Sequence, residues 1–226
     1  MIELFHAHTP NVYKVVIALE ETAIPYRITP IDLPARQQKS AAFLEVNPNG
    51  RVPAIIDDEP LGGGEPMPIF ESGVILLYLA EKSGRFLPKA VRERYEVLQW
   101  LQWQMAGFGP MLGQANHFLS MASEPVPYAI ERYRAEAARL YGVLDRRLEG
   151  REHICGAYSI ADMACWPWVL YRDYHRQHLE DYPNVARWFA LIAERPAVRR
   201  VMETAFIPTP AEVMAMAAKR RLAAGS

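Results

Sequence analysis

The apolar residues of this chain change their period repeatedly over residues 1–84 and then settle into helical repeats over 90–206, so one architecture cannot serve both parts. Ile2–His6 reads as a short strand, and Val12, Val15, Val16 and Leu19 give the i, i+3, i+4, i+7 spacing of a helix over Pro10–Thr22. Tyr26–Ile31 is expected as a second strand and Ser40–Val46 as a brief helix. Pro53–Asp57 and Pro68–Phe70 are expected as strands around a Gly62-Gly63-Gly64 turn, and Ser72–Ser83 as a helix. The resulting order is βαβαββα. Helices are expected next at Val91–Met121, Tyr128–Leu148, Ile160–Asp173, Val185–Glu194 and Ala197–Thr204, the first bent by Gly107-Phe108-Gly109-Pro110. The pattern divides the chain into an α/β unit at 1–84, a linker at 85–90, an all-α unit at 91–206 and a tail at 207–226. The tail's Lys219-Arg220-Arg221 reads as a solvated end.

Composition narrows the function. Lys and Arg number 25 against 26 Asp and Glu, a net charge of -1, which gives no global field toward nucleic acid or an anionic bilayer. The apolar run around Val74–Ala80 is too short to span a membrane, and Met1–His6 lacks a basic leader, so a cytoplasmic location is expected. Cys155 and Cys165 stand ten apart, which fits neither a redox CxxC pair nor a zinc ribbon. Neither His6 with His8 nor His175 with His178 has a third ligand near it in sequence, so no metal is expected.

Three short stretches could carry chemistry. Thr9-Pro10-Asn11 lies where a strand gives way to a helix. Thr and Pro suit a structural cap, but the hydroxyl, the carboxamide and free N–H groups at a helix start could also hold a thiolate. Asn47-Pro48-Asn49-Gly50-Arg51-Val52-Pro53 is a turn entering a strand. With a cis Val52–Pro53 bond, Val52 would present its N–H and C=O to an extended ligand. Ser72 could simply cap the following helix. With Glu71 it could instead receive an amino-acid head group, hydroxyl to carboxylate and carboxylate to ammonium.

These stretches, with the element order and Tyr158-Ser159-Ile160-Ala161-Asp162, resemble the glutathione transferases over about residues 1–206. The likeness is closest to the nu class of bacterial glutathione-dependent disulfide oxidoreductases. Members similarly show Thr-Pro-Asn after the first strand, Gly-Gly-Glu-Pro before the fourth, and stretches like Gly109–Gln114, Pro127–Tyr133 and Cys165-Trp166-Pro167-Trp168. The resemblance implies a thioredoxin-like first domain, an all-helical second domain and a homodimer. Thr9 and Asn11 would address the sulfur of glutathione, Val52 its cysteinyl backbone before a cis Pro53, and Glu71 with Ser72 its γ-glutamyl head. Gln38, beside Gln37, and Arg132 are implied as further contacts. No cysteine or serine follows the first strand, so chemistry from a protein sulfur or serine is not expected. Tyr13 lies within the first helix and is assigned to packing.

The reaction expected from this set is reduction of a small or peptide disulfide by the thiolate of bound glutathione, with reduced and oxidised glutathione as co-substrate. A conjugating transferase, a glutathione peroxidase and a non-catalytic glutathione-binding module remain alternatives at this point. Trp103 and Phe108 are candidates for an apolar co-substrate wall because the expected bend would turn their helix toward the cleft. Ser159 to Asp162 reads as a capping box.

Overall fold

A computed structural model describes residues 1–213 and 215, so Lys219-Arg220-Arg221 lies outside the described residues. The first part builds β1 (Ile2–His6), α1 (Pro10–Thr22), β2 (Tyr26–Pro30), α2 (Ala41–Val46), β3 (Ala54–Asp57), β4 (Met67–Phe70) and α3 (Ser72–Ser83). The sheet runs β2-β1-β3-β4, with β1 parallel to β2 and antiparallel to β3, and β3 antiparallel to β4. This is the thioredoxin-like arrangement.

Alternation along β1 sends Ile2 and Leu4 into the core shared with α1 and α3, while Phe5 turns to the other face and meets Phe43 of α2 edge-on at 5.5 Å. Gly62, Gly63 and Gly64 all take positive φ in the β3–β4 connection, a conformation open to glycine without strain.

The second part is helical: α4 (Val91–Trp103), α5 (Gly109–Asn116), α6 (Pro127–Arg147), α7 (Ile160–Leu170), α8 (Pro183–Ala193) and α9 (Pro196–Thr204). The helix expected over Val91–Met121 is continuous in path but not in type, because π turns occupy Gln104–Phe108 and His117–Met121. Pro110 has no N–H for the carbonyl of Ala106, and the extra residue of the first π turn absorbs the lost bond. Likewise α7 stops at Leu170, short of the expected Asp173, and a 3₁₀ turn at Arg172–His175 follows. His175 is buried between Tyr141 and Asn116, at 2.7 and 2.8 Å, whereas His178 is exposed.

The Ser159–Asp162 capping box is present and larger in effect than a cap. The buried Asp162 carboxylate accepts from the N–H groups of Ile154 and Ser159 at 3.0 Å and from Trp188 Nε1 at 2.8 Å. It thereby fixes the start of α7, which packs on α1 together with α9. Among the described residues no helix is long and apolar enough to cross a membrane.

Candidate active-site cleft between sheet and helices

The cleft opens at the N-terminal end of α1. Thr9 is the extended N-cap, its Oγ1 accepting from Val12 N–H at 3.3 Å, which leaves the hydroxyl hydrogen free to point outward. Two residues on, Asn11 Oδ1 accepts from the indole Nε1–H of Trp168 at 3.1 Å. An indole can only donate, so this bond fixes the carboxamide with its NH₂ as the unused, outward donor. Two donors thus stand at the positive end of a helix, where a thiolate is favoured.

A recess of about 350 Å³ collects Thr9, Asn11, Gln38, Lys39, Arg51 and Val52. The Val52–Pro53 peptide is cis. Among the described residues the N–H and C=O of Val52 take no backbone partner. The turn before it is stapled by Asn47, whose Nδ2 donates to the carbonyl of Arg51 at 2.6 Å and whose Oδ1 accepts from Asn49 N–H at 3.0 Å. Gly50 sits at φ 60°, and a Cβ there would meet the backbone carbonyl of Gln38 at 2.9 Å, so both conformation and space call for glycine. Gln37 and Gln38 separate cleanly. Gln37 Oε1 accepts from Asp32 N–H at 2.9 Å, while Gln38 lines the recess and its buried Oε1 has no partner among the described residues.

Asn11 and Arg51 also border a second chamber of about 510 Å³, which runs from Asn49 and Glu71 to the helical wall of Gln104, Met105, Gly109, Pro110, Gln114 and Trp168. Glu71 takes φ 70°, a positive value uncommon for a side-chain-bearing residue, at the N-cap of α3. Ser72, nearly fully buried, follows it at the start of the helix.

Three residues of the site escaped the sequence reading. Lys14 is 1% exposed, with Nζ 2.6 Å from Gln104 Oε1 and 3.3 Å from Ser72 Oγ. Burial pushes its ammonium down to about 7, against a smaller upward pull from Cys165 and Glu71. Asn11, Lys14 and Glu21 form one polar stripe along a helix whose middle is otherwise apolar, a signal that this stripe faces something polar. It faces the second part: Trp168 meets Asn11, Gln104 meets Lys14, and Arg195 meets Glu21 at 2.5 Å. Trp168 belongs to the Cys165-Trp166-Pro167-Trp168 stretch that carries the resemblance, but without a site role there, and nothing local marks Gln104.

Two expectations fail on geometry. Phe108 is fully buried in the helical core, tilted against Tyr141 at 5.7 Å, and the half-buried Trp103 stacks on it at 5.0 Å, so neither lines the recess or the chamber. The π turn sets a helical phase in which Gln104 and Met105 take the wall positions instead. Arg132 is not brought to the cleft either. It lies exposed on α6 in a separate concavity with Met111, Tyr128 and Glu136. Tyr13 is buried, its hydroxyl 2.8 Å from His8 Nδ1, and burial raises it to about 12, which removes it as a thiol activator. Neither cysteine lines the cleft. Burial raises Cys155 to about 12 and holds Cys165 well above the ordinary thiol range.

Comparison with known proteins agrees with this geometry. Residues 1–81 match the glutathione S-transferase N-terminal domain. The chain is 50% identical over 203 residues to disulfide-bond oxidoreductase YfcG of Escherichia coli, covering 89% of this chain and 94% of that protein. The chain belongs to the glutathione transferase family of enzymes. Disulfide-bond oxidoreductase YghU of the same organism is 42% identical, covering 88% and 73% of the two chains. Among solved structures, a family member from Pseudomonas fluorescens with two glutathione bound superposes with a TM-score of 0.85 at 42% identity, covering 88% of this chain and 91% of that one. A glutathione transferase from Pseudomonas putida, with one glutathione disulfide bound per subunit, gives 0.83 at 41% identity, covering 88% and 89%.

Proposed function

We propose that this protein is a nu-class, glutathione-dependent disulfide reductase that works as a homodimer in a reducing cytoplasm. The observation that carries the reading is the pair of outward donors, Thr9 hydroxyl and Asn11 carboxamide, at the start of α1 in a cleft lined by neither cysteine. The nucleophile is then the ligand's own sulfur. Val52 pairs its free backbone groups with the cysteinyl unit, Gln38 lines the path of the extended peptide, and Glu71 and Ser72 receive the γ-glutamyl ammonium and carboxylate. The name of YfcG and the glutathione disulfide bound to the P. putida protein support the same reaction class.

In the first step the glutathione thiolate attacks one sulfur of the substrate disulfide, forming a mixed disulfide and releasing the other sulfur as a thiolate. A second glutathione thiolate then attacks the glutathione sulfur of that mixed disulfide, giving oxidised glutathione and the second substrate thiolate. Two glutathiones lose two electrons in total, the substrate gains them, and solvent protonates both released thiolates. Hydrogen bonds from Thr9 and Asn11 and the helix dipole stabilise the attacking thiolate.

Parallel assays with a small disulfide, an aryl halide and a hydroperoxide test the assignment. The disulfide is expected to be the best substrate, and turnover only with the halide or peroxide would refute it. The dimer reading is supported by Phe70, Val74, Val91 and Tyr95, apolar side chains left 37 to 69% exposed on β4, α3 and α4. Light scattering should return about twice the 25.7 kDa chain mass, and a single-chain mass would remove the claim. Within one chain Arg132 lines a different concavity, so its implied contact with glutathione stands or falls with this dimer.

A further inference from the structure

Lys14 is a buried cation for which the thiolate chemistry has no use. Its Nζ makes three contacts, Gln104 Oε1 at 2.6 Å, Ser72 Oγ at 3.3 Å and Met105 Sδ at 3.5 Å, all to neutral groups. Among the described residues no carboxylate lies within ion-pairing distance of it. An unpaired ammonium out of water is costly unless a counter-charge arrives. Lys14 borders the 510 Å³ chamber, and so does Gln104, whose fully buried Nε2 has no partner among the described residues. A cation and a spare amide donor therefore border the chamber that Glu71 also lines, the cation 3.3 Å from Ser72 Oγ.

We propose that Lys14 is a positioning residue for an anionic head group, its ammonium standing behind the Ser72 hydroxyl as counter-charge to the γ-glutamyl carboxylate. This rests on glutathione occupying the cleft. Lys14 donates to Ser72 Oγ, and the serine hydroxyl in turn donates to Met105 Sδ at 3.6 Å on the chamber wall, a weak thioether contact that a carboxylate would replace. The charged or titratable groups facing Nζ are Glu71 before α3 and Cys165 on α7, with Arg51 on the rim of the same chamber. The π turn presents only neutral Gln104 and Met105. The arginines of α9, Arg195 and Arg200, are paired with Glu21 and Glu20 at the far end of α1. Because burial holds the free amine near 7, a carboxylate arriving beside it draws a proton onto Nζ from solvent whenever the medium is above that value.

The test is calorimetric titration with S-methylglutathione, whose blocked sulfur contributes no proton, in buffers of different ionisation enthalpy at pH 8. The wild type should take up at least about 0.5 proton per chain more than Lys14→Met. Its dissociation constant should rise between pH 7 and 9 more steeply than that of Lys14→Met, the Lys14 contribution adding at most about tenfold per unit to the slope that the ligand's own amine gives both proteins. Equal proton uptake and equal pH slopes in both proteins would overturn the proposal. So would a wild type with no uptake and a flat profile, a measurement that does not depend on the variant folding. Failure of the wild type to bind S-methylglutathione at any pH would overturn the glutathione reading itself, and the role of Lys14 with it.

Discussion

The two walls of the cleft are made differently. On the sheet side the ligand-facing groups are set by local chain geometry: an N-cap at Thr9, a stapled turn leading to Val52, and a strained helix entry at Glu71 and Ser72. On the helical side Gln104, Met105 and Trp168 face the cleft because of the phase of long helices, one of them shifted by a π turn. A turn residue is decided within a few neighbours, whereas a helical phase is decided by everything that holds the helix in place. The first wall is therefore sensitive to substitution at the site, and the second to substitution far from it.

The largest effect should come from the remote side of that contrast. Asp162→Ala strips four buried donors of their acceptor, Trp188 Nε1 among them, and should cost about 3–5 kcal/mol in urea denaturation, which measures the anchoring of α7. A loss near that of an exposed cap would make the two walls alike. Next in size, Thr9→Ala with Asn11→Ala should lower kcat/KM for disulfide reduction about 100-fold and move the pH profile upward, since the thiolate loses its donors. Glutathione affinity should largely survive through Val52, Glu71 and Ser72.

Trp168→Phe probes the seam between the walls. It keeps an aromatic side chain but removes the indole donor and frees the Asn11 carboxamide to flip, and should reduce kcat about fivefold, with a lowered melting temperature from the smaller buried ring. Smallest of all, Cys155→Ala with Cys165→Ala should leave turnover within about twofold, with a stability loss of roughly 1–3 kcal/mol from the buried Cys165 site. A folded but inactive double variant would place the reacting sulfur on the protein after all.

The same contrast explains what the sequence could reveal. In the first part Ile2–His6, Pro10–Thr22 and Ser72–Ser83 have the expected bounds to the residue, because Thr9, Pro10 and the residues around Glu71 and Gly84 are local signals. Gln38 against Gln37 needed the fold, which ties one to Asp32 and leaves the other facing the recess. In the second part the helices were legible from period, but which of their faces line the cleft was not. Gly107 and Pro110 announced a disturbance without stating that it would be a π turn, and the predicted wall fell on Trp103 and Phe108 in place of Gln104 and Met105. Lys14 carried a faint signal, a charge in a helix of valines, and its meaning depended on a partner ninety residues away.

That dependence reaches the birth of the protein. Helix α1 is made early, yet its polar stripe is completed only by Gln104, Trp168 and Arg195, and the hydroxyl of Tyr13 by the backbone of Phe206. At about 5–20 residues per second, the ribosome takes on the order of ten seconds or more to deliver those partners after α1 has emerged. Through that interval the first domain must wait with an uncovered helix face. A fragment released before those partners are made should not mature alone, because α9 is synthesised long after the helix face it closes.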